Sequence, residues 1–161
     1  MQTQIPGRDT RDWMPDTRVS LWLNLAATAL CFIALIPFLA LYANTHNGQT
    51  SFELSGGGLL IATLVTLALI GVALVIHEGI HALVVKSTGG APTYGAKMIG
   101  KIMPVFYVTS EGQLFTRKQF IVVALAPFVV LSVVFMVLIA PVPFGGWLVL
   151  PAAIHTGGCV G

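Results

Sequence analysis

The stretch Leu59–Ile76, LLIATLVTLALIGVALVI, contains no charged side chain and leads directly into His77-Glu78-Gly79-Ile80-His81. An α-helix rises about 1.5 Å per residue, so about 20 apolar residues cross the ~30 Å hydrocarbon core of a bilayer. The stretch therefore predicts a membrane-spanning helix. Ionisable groups at membrane depth are costly and usually functional, which directs attention to the two histidines and the glutamate at its end.

The composition of the whole chain agrees with a membrane protein. Apolar residues make up 56% of the 161 residues and charged residues 9%, with a mean hydropathy of +0.89. A soluble globular protein carries about 25% charged residues. The formal net charge of +2 is too small to indicate binding to nucleic acid. The length suits a single domain, which we expect to be integral to the membrane.

Four apolar segments are predicted to be helices, at about residues 20–42, 57–85, 119–140 and 146–161. The first three are long enough to cross a bilayer. The fourth would end with a charged carboxylate inside the membrane, so we expect it to be truncated here and to continue in the natural protein. The predicted fold is an all-α integral membrane protein with four transmembrane helices, in which residues 1–19 form an N-terminal tail and residues 20–161 the membrane domain.

Positive charge predicts the orientation of these spans. Three arginines lie in the N-terminal tail, no Lys or Arg lies in the loop 43–56, and five lie between the second and third spans. Because loops rich in Lys and Arg stay in the cytoplasm, the N-terminus and the second loop are predicted to be cytoplasmic. The chain is then a multi-pass protein of the cell membrane, with His77 and His81 towards the cytoplasmic end of the second span.

The segment between the second and third spans, residues 86–116, is less apolar than the spans. Residues 93–98 have a mixed pattern, and residues 104–109, PVFYVT, are typical of a strand. A short cytoplasmic β-hairpin is therefore expected. Such a hairpin either presents an unpaired edge to an extended substrate or only covers the ends of the helices.

The spacing of the two histidines indicates a metal site. His77 and His81 are four residues apart, so they project from one face of a helix, and Glu78 lies beside the first. This is the His-Glu-x-x-His arrangement of zinc peptidases, in which the histidines bind Zn2+ and the glutamate acts as general base on a water. Gly79 is expected to allow close packing at this turn. The alternative is a structural cluster in which the three side chains satisfy one another between packed helices.

A catalytic zinc ion usually has three protein ligands and one water. The residues considered for the third ligand are His46, Glu53, Glu111, His155 and Cys159. His46 and Glu53 are predicted on the opposite side of the membrane, and Glu111 among solvated turn residues. His155 lies at membrane depth beside Thr156-Gly157-Gly158, a segment expected to loosen the helix and open a polar cavity. His155 is thus a candidate for a place beside the ligands or in that cavity, or for an interhelical hydrogen bond, and Cys159 for ordinary apolar packing.

Three stretches resemble the site-2-protease type of intramembrane zinc metalloprotease, and most of all a small bacterial zincin peptidase family. They are His77–Leu83 at the end of one span, Thr116–Phe120 with Ala126-Pro127 in the next, and Ile154–Gly161 in the last. The resemblance covers about residues 70–161. The first motif is specific for a metalloprotease, and the other two are weak alone but occur in the right order.

The resemblance implies a core of three spans, to which the segment at 20–42 would be an addition. It assigns the zinc ligands to His77 and His81 and the catalytic role to Glu78, and it implies a ligating Asp directly after a Gly that resembles Gly161. The implied activity is that of a zinc-dependent metalloendopeptidase, which cleaves a membrane-anchored protein substrate in or near the lipid bilayer.

Two other functions are compatible with the sequence. A non-catalytic membrane protein with an incomplete zinc site would act as a binding or regulatory partner, and a low zinc content would identify it. A transporter or channel is suggested by the polar patch at residues 156–158, and metal or solute flux across a membrane would identify it.

Overall fold

The computed structural model describes residues 16–47, 56–99, 103–110, 113 and 115–159. Within them the elements run in the order α1 (Thr17–Thr45), α2 (Gly56–Ser87), β1 (Thr93–Ile99), β2 (Met103–Thr109), α3 (Arg117–Ile139) and α4 (Gly146–Gly158). The mostly helical architecture with one small hairpin confirms that part of the prediction. Most of the predicted N-terminal tail lies outside the described residues, as do Glu53, Glu111 and Gly161.

Three of the described helices are long and apolar enough to cross a membrane: α1, residues 58–87 of α2, and α3. Both α1 and α2 extend beyond the predicted segments at each end. The fourth helix, α4, has 13 residues and rises only about 20 Å, which is less than the ~30 Å hydrocarbon core. A fourth transmembrane helix therefore stays a prediction.

The short helix α4 packs against all three of the longer helices. Ala152 and Ala153 of α4 and Ile139 of α3 are fully buried in this contact. The other members of the same buried cluster are Ala34, Phe38, Tyr42, Ala73, Leu131, Phe135 and Val149. Many large aliphatic side chains of α1, α2 and α3 are instead exposed, as expected for surfaces that face lipid.

The Thr156-Gly157-Gly158 segment forms the last turn of α4, and the helix ends at Gly158 without loosening before that residue. The helix continues to Gly158, and Thr156 donates its buried hydroxyl to the carbonyl of Ala152 at 2.8 Å. A Cβ atom at Gly157 would lie 2.6 Å from the carbonyl oxygen of Ala27 and 2.8 Å from Cβ of Cys31. The absence of a side chain at Gly157 therefore lets α4 and α1 approach closely.

Local chemistry sets the helix ends on either side of the hairpin. Beyond α2, Gly89 adopts a left-handed conformation (φ 84°), and Gly90 donates its N–H to the carbonyl of Val85 at 3.1 Å, which satisfies an end carbonyl of the helix. At the start of α3, the Thr116 hydroxyl accepts from the Gln119 N–H at 3.3 Å, and the Thr116 N–H donates to Gln119 Oε1 at 2.9 Å. This reciprocal pair of hydrogen bonds is a capping box, which starts α3. It lies within Thr116–Phe120, the second stretch that resembles the zinc metalloproteases.

The predicted hairpin is present. Strands β1 and β2 pair antiparallel, from Thr93 opposite Thr109 to Ile99 opposite Met103. Among the described residues the sheet contains these two strands alone. Because β2 contacts α2, the hairpin lies against the helix that carries the His-Glu motif.

Candidate metal centre

Helix α2 brings His77 and His81 together through its own periodicity. Their Nε2 atoms are 3.1 Å apart, and their ring centroids are 4.8 Å apart with an interplanar angle of 77°. Residues four apart lie one turn above each other on the same face, so this approach needs no distortion of the backbone. Both side chains are half-buried.

Helix α3 orients His81. The Nδ1 atom of His81 lies 2.9 Å from the carbonyl oxygen of Val123. A carbonyl oxygen only accepts, so Nδ1 carries the hydrogen, and in the neutral ring Nε2 presents its lone pair. Metal-binding histidines almost always donate their second ring nitrogen in this way. The lone pair of His81 Nε2 is therefore held towards His77.

Helix α4 supplies a third imidazole to the cluster. The Nε2 atom of His155 lies 3.1 Å from Nδ1 of His77, and the two ring centroids are 5.3 Å apart. The Nδ1 atom of His155 is buried and has no hydrogen-bond partner among the described residues, so it is available to a ligand. The ring of Phe135 packs against His155 with a centroid separation of 6.0 Å. Among the residues considered for the third zinc ligand, His155 thus lies beside the His-Glu motif.

The pair formed by His77 and His81 fits the geometry that zinc requires. Zn–N bonds of about 2.0–2.1 Å at tetrahedral angles place two nitrogen ligands about 3.4 Å apart. The observed separation of 3.1 Å between the Nε2 atoms is close to that distance. If Nε2 of His77 binds the metal, its Nδ1–H points at His155 Nε2, so each ligand has a fixed acceptor for its second nitrogen. The residues present therefore suit the predicted zinc ion.

A second group of donor atoms shares His77. The ligand atoms of His77, His155 and Cys159 all lie within 4.8 Å of one another, and Cys159 Sγ is 3.6 Å from His155 Nε2. The sequence had favoured ordinary packing for Cys159, whereas the structure places its thiol beside the imidazole cluster. His155 approaches Nδ1 of His77, whereas His81 approaches Nε2 of His77. A single metal ion would therefore bind either with His81 or with His155 and Cys159, but not with both sets.

The other residues considered for the site lie elsewhere. His46 follows the end of α1, and its Nε2 lies 3.0 Å from the carbonyl oxygen of Val142, beyond the far end of α3. Helix α3 runs about 24 Å from Val123 to its last residue, so His46 cannot reach the cluster. A Cβ atom at Gly79 would meet no atom within 4 Å, so the close packing expected there does not occur among the described residues.

Two features of the site were not found from the sequence. The first is the Val123 carbonyl, because a backbone oxygen carries no residue-type signature. The second is a cavity between α2 and the hairpin, whose wall includes the half-buried Glu78 together with Val75 and Tyr107. The position of this cavity depends on how the hairpin folds back on α2, which a hydropathy pattern does not specify.

A helix that carries His-Glu-x-x-His, with its imidazoles oriented by neighbouring acceptors, is the arrangement of the zincin class of metallopeptidases. Residues 70–161, more than half of the chain, match the family described as Putative zincin peptidase, and the chain belongs to that family. The match confirms the resemblance at the level of a zinc peptidase family. No curated protein and no solved structure matched the chain.

Proposed function

We propose that this protein is a zinc-dependent intramembrane endopeptidase of the site-2-protease type. The observation that carries the proposal is the 3.1 Å approach of His77 Nε2 to His81 Nε2, with Glu78 on the same turn of a helix apolar enough to cross a bilayer. Membership of the zincin family supports peptidase chemistry. Three long apolar helices support the membrane setting.

In this proposal His77 and His81 hold the metal through their Nε2 atoms. The Val123 carbonyl and the His155 ring hold the two imidazoles in the tautomer and orientation that leave those atoms free. When bound, zinc supplies a Lewis acid that lowers the pKa of a water to about 7 and polarises the scissile carbonyl. The metal position is therefore set by three helices, since α2, α3 and α4 each contribute a group.

Glu78 is the general base. It follows His77 in sequence and is offset from it by about 100° around the helix, so its carboxylate lies beside the metal position without being a ligand. It removes the proton from the attacking water and delivers that proton to the nitrogen of the leaving amine. The carboxylate is half-buried, which reduces competition from bulk water for that proton.

The proposed substrates are membrane-anchored proteins. The motif follows the uncharged run 59–76 within the same helix, so the reacting bond would lie in the bilayer or at its edge. A transmembrane helix keeps its carbonyls in internal hydrogen bonds, so the substrate must unwind locally before a carbonyl can react. The five basic residues between the second and third spans and the three in the N-terminal tail support a cytoplasmic location for the N-terminus and for the motif.

The proposal is tested by proteolysis with purified protein in detergent. The probes are fluorescein-labelled casein, as a generic unfolded protein, and a set of single-span reporter proteins. Glu78→Gln keeps the shape of the side chain but removes the base, so we expect it to lower cleavage by about 100-fold or more while zinc stays bound. Glu53→Gln is the matched control and should cleave as the wild type does.

Either of two results would contradict the proposal. One is cleavage by Glu78→Gln at the wild-type rate, which removes the general-base role. The other is absence of zinc from purified wild-type protein that has been reconstituted with the metal.

A second candidate function is favoured by the donor group at His77, His155 and Cys159. A metal held there would have a thiolate ligand and would not use the pair of Nε2 atoms beside Glu78. Under this alternative the protein is a non-catalytic membrane protein whose metal site serves binding or regulation. The incomplete site considered from the sequence would be identified by a low zinc content, but a site at this donor group predicts bound zinc without proteolysis, and retention of zinc in His81→Gln.

A further inference from the structure

We propose that the cavity between α2 and the hairpin receives one apolar side chain of the segment being cleaved, next to the scissile bond, and so sets a sequence preference. The proposal rests on the proposed peptidase function and adds a specificity-determining site to it. The cavity has a volume of about 160 Å3. Its lining residues are Leu74, Val75, Glu78, Tyr94, Gly95 and Tyr107.

The chemistry of the walls selects an apolar occupant. Leu74 and Val75 of α2 line one side of the cavity and Tyr94, Gly95 and Tyr107 of the hairpin line the other, and Glu78 is the one carboxylate among the described lining residues. An engineered cavity of about 150 Å3 with apolar walls holds a molecule of benzene, so the present volume suits one Leu or Phe side chain. Each methylene that leaves water for these apolar walls strengthens binding, whereas a charged side chain would lose part of its hydration there, since lining side chains such as Val75 and Tyr94 remain exposed at the mouth.

The position of Glu78 argues that the occupant belongs to the substrate and not to a lipid. The same carboxylate that is proposed to move the proton forms part of the cavity wall. A group in the cavity therefore lies beside the atoms that react. A lipid acyl chain can bind equally well to the exposed apolar faces of the helices. A residue flanking the cleaved bond, by contrast, must lie beside the Glu78 carboxylate and therefore in the cavity.

A glycine in the hairpin, Gly95, determines the position of Tyr107 in this wall. Gly95 of β1 pairs directly with Tyr107 of β2, so both face the same side of the sheet. A Cβ atom at Gly95 would lie 2.6 Å from Cε2 of Tyr107, which is closer than van der Waals contact. The absence of a side chain at Gly95 thus lets the Tyr107 ring lie across the sheet, where it forms part of the cavity wall.

The test measures binding separately from cleavage. The probes are fluorescein-labelled peptides of one common Ser- and Ala-rich sequence that carry Ala, Val, Leu, Phe or Asp at a single position. Their affinity for the full-length Glu78→Gln protein is measured in detergent by fluorescence anisotropy, so no turnover is needed. We expect Leu and Phe peptides to bind at least about 10-fold more tightly than the Ala peptide, and the Asp peptide to bind more weakly than all others.

Two variants on the same face of α2 distinguish binding in the cavity from a general effect of added hydrophobic surface. Val75→Trp fills the cavity, whereas Leu67→Trp adds the same ring about 12 Å away along the helix. Both positions are exposed, at 73% and 60%, and Leu67 does not line the cavity. We expect Val75→Trp to abolish the preference for Leu and Phe and Leu67→Trp to preserve it, which also corrects for partition of peptides into micelles.

Equal affinity across the peptides, an unchanged preference in Val75→Trp, or no peptide binding at all would overturn the inference. Displacement of the Leu peptide by a fatty acid as effectively as by unlabelled Leu peptide would assign the cavity to lipid and would overturn it too. Failure of the proposed peptidase function is distinguishable, because it would appear as absent cleavage and absent zinc while the side-chain preference in binding remained.

Discussion

The Nδ1 hydrogen of His81 is donated to the carbonyl oxygen of Val123 across 2.9 Å, which links the metal motif of α2 to the backbone of α3. This contact fixes the neutral tautomer of His81 with its Nε2 lone pair towards His77. A carbonyl in the middle of a helix normally accepts from the N–H four residues later, and it has a second lone pair for the imidazole. The candidate metal centre is therefore coupled to the packing of α2 against α3.

His155 is expected to position His77 without being essential to the fold. Loss of an acceptor for the second nitrogen of a metal-binding histidine typically lowers metal affinity by 10- to 100-fold, so His155→Ala should weaken zinc binding by about that factor. Chelator competition measures the dissociation constant. His46→Ala is the control, because His46 lies beyond the opposite end of α3, and an equal loss of affinity in both variants would contradict the assignment.

The thiol of Cys159 is expected to stay out of the metal centre. Cobalt substituted for zinc gives an intense charge-transfer band in the near ultraviolet only when a thiolate is a ligand. We expect the cobalt-loaded wild type to lack this band and Cys159→Ala to keep its metal. A band that disappears in Cys159→Ala would move the metal to the group of His77, His155 and Cys159.

Two glycines, Gly157 of α4 and Gly79 of α2, should respond in opposite ways to substitution by alanine. At Gly157 the new Cβ would press on the Ala27 carbonyl, so we expect Gly157→Ala to lower the free energy of unfolding by about 1–3 kcal/mol. At Gly79 the new Cβ would meet nothing within 4 Å. Because alanine is a better helix former than glycine, Gly79→Ala should raise the free energy of unfolding by up to about 1 kcal/mol. Unfolding in mixed micelles measures both free energies, and a Gly157→Ala protein as stable as the wild type would contradict the close approach of α1 and α4.

The proposed orientation of the chain, with the N-terminus in the cytoplasm, predicts which loops can be labelled from outside the cell. In a variant that lacks both natural cysteines, Ala91→Cys tests the loop after α2 and Pro143→Cys the connection between α3 and α4, since both positions are exposed. A membrane-impermeant maleimide added to intact cells should label Pro143→Cys only. Labelling of Ala91→Cys alone would invert the topology and place the motif on the outer side.

The sequence was sufficient to predict the elements but not the contacts between them. The uncharged run before His77 predicted α2, and the strand-like run 104–109 predicted β2, because both depend on local patterns. The approach of His155 to His77 depends on how α4 packs against α2, which no local pattern encodes. The packing role of Gly157 was missed for a related reason: a Thr-Gly-Gly segment resembles a helix end, yet small residues also allow two helices to touch.

The zinc content of four forms of the purified protein tests most directly whether His77 and His81 bind the metal. It is measured by metal analysis after reconstitution and removal of free ions. We expect about one zinc ion per chain in the wild type and in Glu78→Gln, and little in His77→Gln or His81→Gln. This pattern follows if the two Nε2 atoms, 3.1 Å apart, hold the metal and Glu78 does not. Full zinc occupancy in His81→Gln, or none in the wild type, would contradict a zinc site at His77 and His81.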